Sequence, residues 1–213
     1  MTKTRIVGID PAGENAATAR AVAAALLEAA VIAYPTETFY ALGAAAFSKR
    51  AVERVYRLKK RAAAKPLSVL VSDLDMVRDV AGPLPPAFCV LAGEFWPGPL
   101  TLVLPAAERL PQYLLGPGRT IAVRIPPLAW LRRLVSETSQ PLTATSANLS
   151  GEKELADPAD VTDAFQGKVD LIVDGGRAPG GLPSTIIDLT AGRPRILREG
   201  AIPSARISAI LKP

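Results

Sequence analysis

The chain of 213 residues contains no histidine. That absence removes Ser-His-Asp and Cys-His nucleophilic catalysis, histidine zinc sites and any imidazole general base. Its chemistry must rest on Lys, Arg, Ser, Thr, Asn, carboxylates, backbone amides or groups that a substrate brings. A single cysteine, Cys89, excludes an internal disulfide. Aromatic residues make up only 5%, and no RRM-type aromatic motif occurs, so a base-stacking platform for single-stranded RNA has little support. No apolar run reaches the length of about 18 residues that a membrane span needs, and Glu28 interrupts the Ala-rich stretch 21–33. The opening MTKTRIVGIDPAGEN lacks the apolar core of a signal peptide. A cytoplasmic protein with no membrane contact is expected. The Walker A lysine loop, GxGxxG and CxxC are also missing, which excludes P-loop NTPases, Rossmann-type dinucleotide binders and zinc ribbons.

Hydrophobic residues at 49% and charged residues at 21% describe a globular chain. No composition shift marks a boundary, so residues 1–213 read as one domain. The net charge of +5 suits nucleotides, RNA or acidic metabolites, or serves only solubility.

Helices are expected at 14–30, 49–60, 73–80, 85–95, 127–137, 159–165 and 204–211 from their helix formers, apolar stripes and caps. Strands are expected at 31–33, 67–71, 100–104, 120–125, 141–145, 171–174, 184–189 and 195–198. Elements alternate at first and strands cluster later. The pattern predicts an α/β fold, a single domain whose twisted mixed β-sheet is flanked by helices.

Five stretches stand out as carriers of chemistry. AYPTETFYALG, 33–43, packs three aromatics and three polar residues into seven positions at a strand end, where functional loops of α/β folds lie. Lys59, Lys60, Arg61 and Lys65 read as a helix end favoured by the dipole, or as an anion clamp of lysine point charges and a forked guanidinium. Ser146, Asn148 and Ser150 in ATSANLSG read as a turn, or as small polar groups that take phosphate oxygens. The four glycines of DGGRAPGGLPSTIIDL, 174–189, give a flexible loop or a backbone that approaches a ligand. Arg124 and Arg198 lie inside apolar strands, and each needs an anionic partner if buried.

The order of these stretches resembles the YrdC/Sua5 family, the threonylcarbamoyl-AMP synthases. YPTETFYALG matches the family's YPT(D/E)TxYGLG, and KKRAAAKPL its KGRPxxxPL. PGPLT, AVRIP, SANLSG, PSTIID and LREG follow in order, between about residue 31 and 200. The length fits the short form of that family.

The resemblance implies a YrdC-like domain with a wide basic groove. It implies that L-threonine, bicarbonate or CO2 and ATP give threonylcarbamoyl-AMP and pyrophosphate. A downstream threonylcarbamoyl transferase complex then modifies adenosine in tRNA, and RNA contact is a further implied partner. Mg2+ would be held through the ATP phosphates, with no protein metal site. By residue, Lys59, Arg61, Ser146 and Asn148 would be catalytic. Lys59, Arg61, Thr120, Asn148 and Arg198 would bind ATP. Thr36, Arg124, Ser146 and Ser184 would bind threonine. The chain departs from the pattern at Ala41 and Lys60 (both glycine in the family), Ala62 (proline), Leu70 (histidine) and Ala156 (threonine). Weakened or altered amino-acid preference is one consequence to test. Competing readings are carbamoyl-AMP chemistry on the same scaffold, a non-catalytic RNA- or nucleotide-binding paralogue, and a decayed enzyme.

Overall fold

Side-chain caps fix several helix starts where the sequence places Ser or Asp. Ser48 accepts from the Ala51 N–H at the head of Lys49–Lys59, α2. Asp73 does the same for Met76 in Leu74–Val80, α3, and Asp157 for Ala159 in Pro158–Phe165, α6. The remaining helices are Ala16–Leu27 (α1), Ala87–Phe95 (α4), Ala129–Thr138 (α5) and Ser204–Ile210 (α7). This is a computed structural model, and it describes residues 3–13, 15–61, 65–148 and 152–211.

Ten strands form one mixed sheet. They are Arg5–Gly8 (β1), Val31–Pro35 (β2), Tyr40–Ala44 (β3), Ser68–Leu70 (β4), Leu100–Pro105 (β5), Thr120–Arg124 (β6), Leu142–Ser146 (β7), Leu171–Asp174 (β8), Thr185–Asp188 (β9) and Arg195–Arg198 (β10). Their order is β1-β8-β2-β3-β7-β4-β6-β5-β9-β10. The pairs β1–β8, β2–β8, β4–β6 and β5–β9 are parallel, and the rest antiparallel.

The two-residue period of the strands sorts side chains between two cores. Val31, Ala33, Val69, Leu102, Leu104, Ile121 and Val123 join the larger core with residues of α2, α3, α4, α6 and α7. Ile32, Tyr34, Leu70 and Leu142 point the other way, into a core with Val22 and Leu26 of α1 and Trp130 and Leu134 of α5. Those two helices cover only one part of their sheet face. Where they stop, the same face presents Ser68, Thr101, Ala122, Arg124 and Ala144, and a cleft opens.

β1 and β3 have no counterpart in the sequence reading. β1 is a short, largely exposed edge strand. β3, YALGA, is made of residues with weak strand preference. It forms because β2 and β7 flank it in register. Gly43 is the residue that permits this, since a Cβ there would collide with the Thr143 carbonyl oxygen and the Tyr34 ring.

The C-terminal end of α2 aims the basic cluster. The Lys60 N–H donates to Arg57 O at 3.1 Å, and the Arg61 N–H to Tyr56 O at 3.0 Å. This is a Schellman turn with Lys60 in its left-handed position, at φ 50°. The family pattern has glycine there, and a lysine side chain costs about 1 kcal/mol in this conformation. Lys60→Gly is therefore expected to raise the melting temperature by about 2–4 °C. Thermal unfolding followed by circular dichroism checks it, and an unchanged or lower value contradicts the strain argument.

Candidate active site

The cleft encloses about 210 Å3. Six of the residues expected from the sequence line it: Thr36, Arg61, Arg124, Ser146, Ser184 and Arg198. They come from opposite ends of the chain, brought together by the β3–β7, β4–β6 and β5–β9 pairings.

Lys59 and Asn148 sit behind the cleft wall. Lys59 is 2% exposed. Its ammonium donates to Ser146 O, to Asn148 O at 2.9 Å and to Asn148 Oδ1 at 2.7 Å. All three of its hydrogens are thereby used. Burial pushes its pKa down to about 8, helped by the Arg61 charge and opposed by Glu154. Ser146 Oγ donates to the same Asn148 Oδ1 at 2.7 Å, and Asn148 Nδ2 donates to Glu152 O at 2.5 Å. Lysine, amide and hydroxyl thus form one satisfied network, and Ser146 is its face toward the cleft.

Arg61 anchors its fork on Lys65 O at 2.8 Å and Pro66 O at 3.0 Å, at the cleft mouth. Arg124 is 7% exposed and ion-pairs through Nη1 with Glu37 Oε1. Burial lowers its pKa to about 10, with Tyr34 opposing and Arg198 reinforcing the shift. Arg198 grips Ser184 O at 2.8 Å and Ser184 Oγ at 3.1 Å. Ser184 Oγ also shares a hydrogen with Thr101 Oγ1 at 3.0 Å.

The aromatic and polar knot forms the turn between β2 and β3. Thr36 donates its hydroxyl to Phe39 O at 2.7 Å and accepts from the Thr38 N–H at 3.2 Å. Its proton is committed to bracing the turn. Tyr40 Oη donates to Gly176 O at 2.8 Å and accepts from the Gly175 N–H at 3.2 Å, and the Gly180 N–H donates to Thr38 O at 2.6 Å. The glycine-rich loop is in this way fastened over the knot.

Other expected positions fall elsewhere. Thr120 does not line the cleft, although it shares a strand face with Ala122 and Arg124, and its hydroxyl donates to Pro117 O at 3.2 Å. Leu70 lies opposite Arg124 in the β4–β6 ladder but is wholly buried in the α1–α5 core. Ala41 does reach the cleft, across the ladder from Ser146. Ala156 O receives the Ala178 N–H at 2.8 Å, so that position holds the loop through its backbone. Ser150 and Ala62 lie outside the described residues.

Sequence reasoning passed over Thr38, Thr101, Glu154 and Glu37. The first three line the cleft, and Glu37 pairs with the arginine that does. Thr38, Glu37 and Thr101 stand inside motifs that were singled out, which was a usable signal. Nothing in the sequence marks Glu154. Among the described residues, no three or more Asp, Glu, Cys or His side chains gather as a metal site, and no helix is long and apolar enough to cross a membrane.

Fold and cleft together define an α/β protein whose sheet face gathers arginines and hydroxyls in one cleft. Residues 24–200 match the family profile of Sua5, YciO and YrdC, described as telomere recombination. The chain belongs to that family. It is 38% identical over 192 residues to the threonylcarbamoyl-AMP synthase of Pyrococcus abyssi, covering 90% of this chain and 56% of the relative. The Bacillus subtilis enzyme of the same name is 38% identical over 195 residues, covering 91% and 56%. The crystal structure of P. abyssi Sua5 complexed with L-threonine superposes with a TM-score of 0.92 at 36% identity, covering 98% of this chain and 61% of that one. The chain thus spans little more than half the length of these relatives.

The Lys59 network yields a pH prediction. Below about pH 8 its ammonium holds all three acceptors, and above that value the native protein loses the proton. An unfolded lysine keeps its proton until about pH 10.4. Between those values the unfolded state binds more protons, so this group's contribution to stability rises with pH. Urea unfolding is expected to show stability, relative to a Lys59→Met variant, rising through about pH 8. A flat profile from pH 7 to 9 overturns it.

Proposed function

We propose that this protein is an L-threonylcarbamoyladenylate synthase, a nucleotidyltransferase that forms threonylcarbamoyl-AMP for the N6-threonylcarbamoyladenosine of tRNA. The observation that carries the reading is Arg124. It is a nearly buried guanidinium with one protein partner among the described residues, in the wall of a hydroxyl-lined cleft. Such a cation calls for an anion of the size of a carboxylate. The L-threonine complex of the P. abyssi relative supports an amino acid as its source.

In this reading the amino-acid carboxylate sits on Arg124 and near Ser184, with Thr36 bracing the turn beside it. The amine nitrogen bonds to the carbon of CO2, derived from bicarbonate, and gives a carbamate as its protons leave. A carbamate oxygen then attacks the α-phosphorus of ATP, and the bond from that phosphorus to the bridging oxygen breaks. Pyrophosphate departs with the electron pair. The sum is L-threonine, bicarbonate and ATP to threonylcarbamoyl-AMP, pyrophosphate and water.

Charge grows on the phosphoryl oxygens and the leaving group, so catalysis needs alignment and cations rather than a histidine. Arg61 at the cleft mouth supplies a fork, and Lys59 supplies charge through the wall it shares with Ser146 and Asn148. Arg198 and Thr120 belong to the nucleotide side. Mg2+ arrives bound to the ATP phosphates, and its chemistry there is charge neutralisation. The cytoplasm, a downstream transferase complex and contact with tRNA complete the reading.

Leu70 lies in the core rather than at the cleft, which leaves the preference for the amino-acid side chain to Thr36, Thr38 and Ala41. Pyrophosphate release from ATP and bicarbonate is expected to depend on L-threonine within a panel of amino acids. Dependence on another amino acid relocates the specificity. No release with ATP still bound favours a nucleotide-binding paralogue. Arg61→Ala and Lys59→Ala are each expected to lower kcat/KM about 100- to 1,000-fold, the scale of losing one preorganised charge contact. Normal turnover in a folded variant would sink the assigned site.

A further inference from the structure

Glu37 is the one acidic residue of the knot between β2 and β3. Its side chain is 13% exposed and that of Arg124 is 9%. One oxygen, Oε1, takes the Arg124 Nη1–H. The other, Oε2, is closed off from solvent and has no hydrogen-bond partner among the described residues. A buried carboxylate oxygen without a donor is costly and rare. A carboxylate whose sole task was to hold an arginine would dock both oxygens on the fork. This pair makes a single contact instead. A donor is missing, and the neighbours Thr36 and Thr38 and the partner Arg124 all line the cleft.

We infer that Glu37 is the acceptor for the α-amino group of the substrate, so that Glu37 and Arg124 together select an α-amino acid by its two opposite charges. The inference rests on the proposed reading that Arg124 takes the substrate carboxylate. An amino acid carries its ammonium and carboxylate on one carbon, so their partners must be adjacent. Glu37 and Arg124 are in direct contact. The carboxylate that itself lines the cleft, Glu154, couples to Lys59 and Arg198 instead, on the phosphate side. The last torsion of a glutamate is soft, so a turn of the carboxyl can present one oxygen to the cleft while the other keeps Arg124.

The test compares two ligands by titration calorimetry in bicarbonate-free buffer. They are L-threonine and (R)-3-hydroxybutyrate, which keeps the carboxylate and the β-hydroxyl but lacks the amine. The wild type is expected to bind threonine about 10- to 100-fold more tightly, the scale of a hydrogen bond between charged groups. In Glu37→Gln that ratio is expected to fall to within a few-fold, with affinity for 3-hydroxybutyrate not weakened, since Arg124 loses a competing carboxylate. Equal weakening of both ligands would mean that Glu37 only positions Arg124, and overturns the inference. A wild type that binds both ligands equally overturns it too, whether or not the variant folds. Binding of ATP with neither ligand bound by the wild type strikes the amino-acid reading of the cleft itself, and the inference falls with it.

Discussion

A buried ammonium organises one side of this molecule. An uncompensated charge in a protein interior costs several kcal/mol, so Lys59 must find acceptors or lose its proton. It finds them all in the segment 146–148. That choice nails the end of α2 to the end of β7. Everything beyond inherits the geometry: the Schellman turn at Lys60 starts from a fixed point, and Arg61 emerges at the cleft mouth. Ser146 and Asn148 are fixed in turn, because their side chains meet on the oxygen that Lys59 holds. Cation, hydroxyl and amide behave as one preorganised unit.

The opposite wall obeys a different constraint. Strands place alternate residues on opposite faces, and α1 and α5 are too few to cover the whole of theirs. The uncovered part cannot be wholly apolar without inviting aggregation, and there the sequence turns to Ser68, Thr101, Arg124 and Ser146. The cleft occupies the place where core packing stops. Arg124 marks the border, with Leu70 of the core opposite it and the cleft beside it.

Much of the architecture was legible because local signals agreed. The stripe of Val52, Val55 and Tyr56 gives α2, and Asp73 announces α3. β3 was not legible. YALGA owes its conformation to β7, 99 or more positions away, as well as to β2, and no local preference encodes that. In the cleft the ordered motifs come together, but their order does not say how the groups partner. The sequence shows Arg124 in a strand and Glu37 in a turn, and nothing in their spacing says that they touch. Lys59 read as a reaching side chain, whereas its hydrogens are already taken. The hydroxyl of Thr36 read as a ligand contact, whereas its proton closes the turn.

The pairing of β5 with β9 has a consequence during synthesis. Ser184 and Arg198 complete the wall that Thr101 begins, and they are translated more than 80 residues after it. Contacts of such long sequence separation form late and slowly. A ribosome-bound chain therefore carries Lys59, Arg61 and Arg124 long before it has a closed cleft. Until β9 and β10 arrive, the cleft wall beside Arg124 stays open.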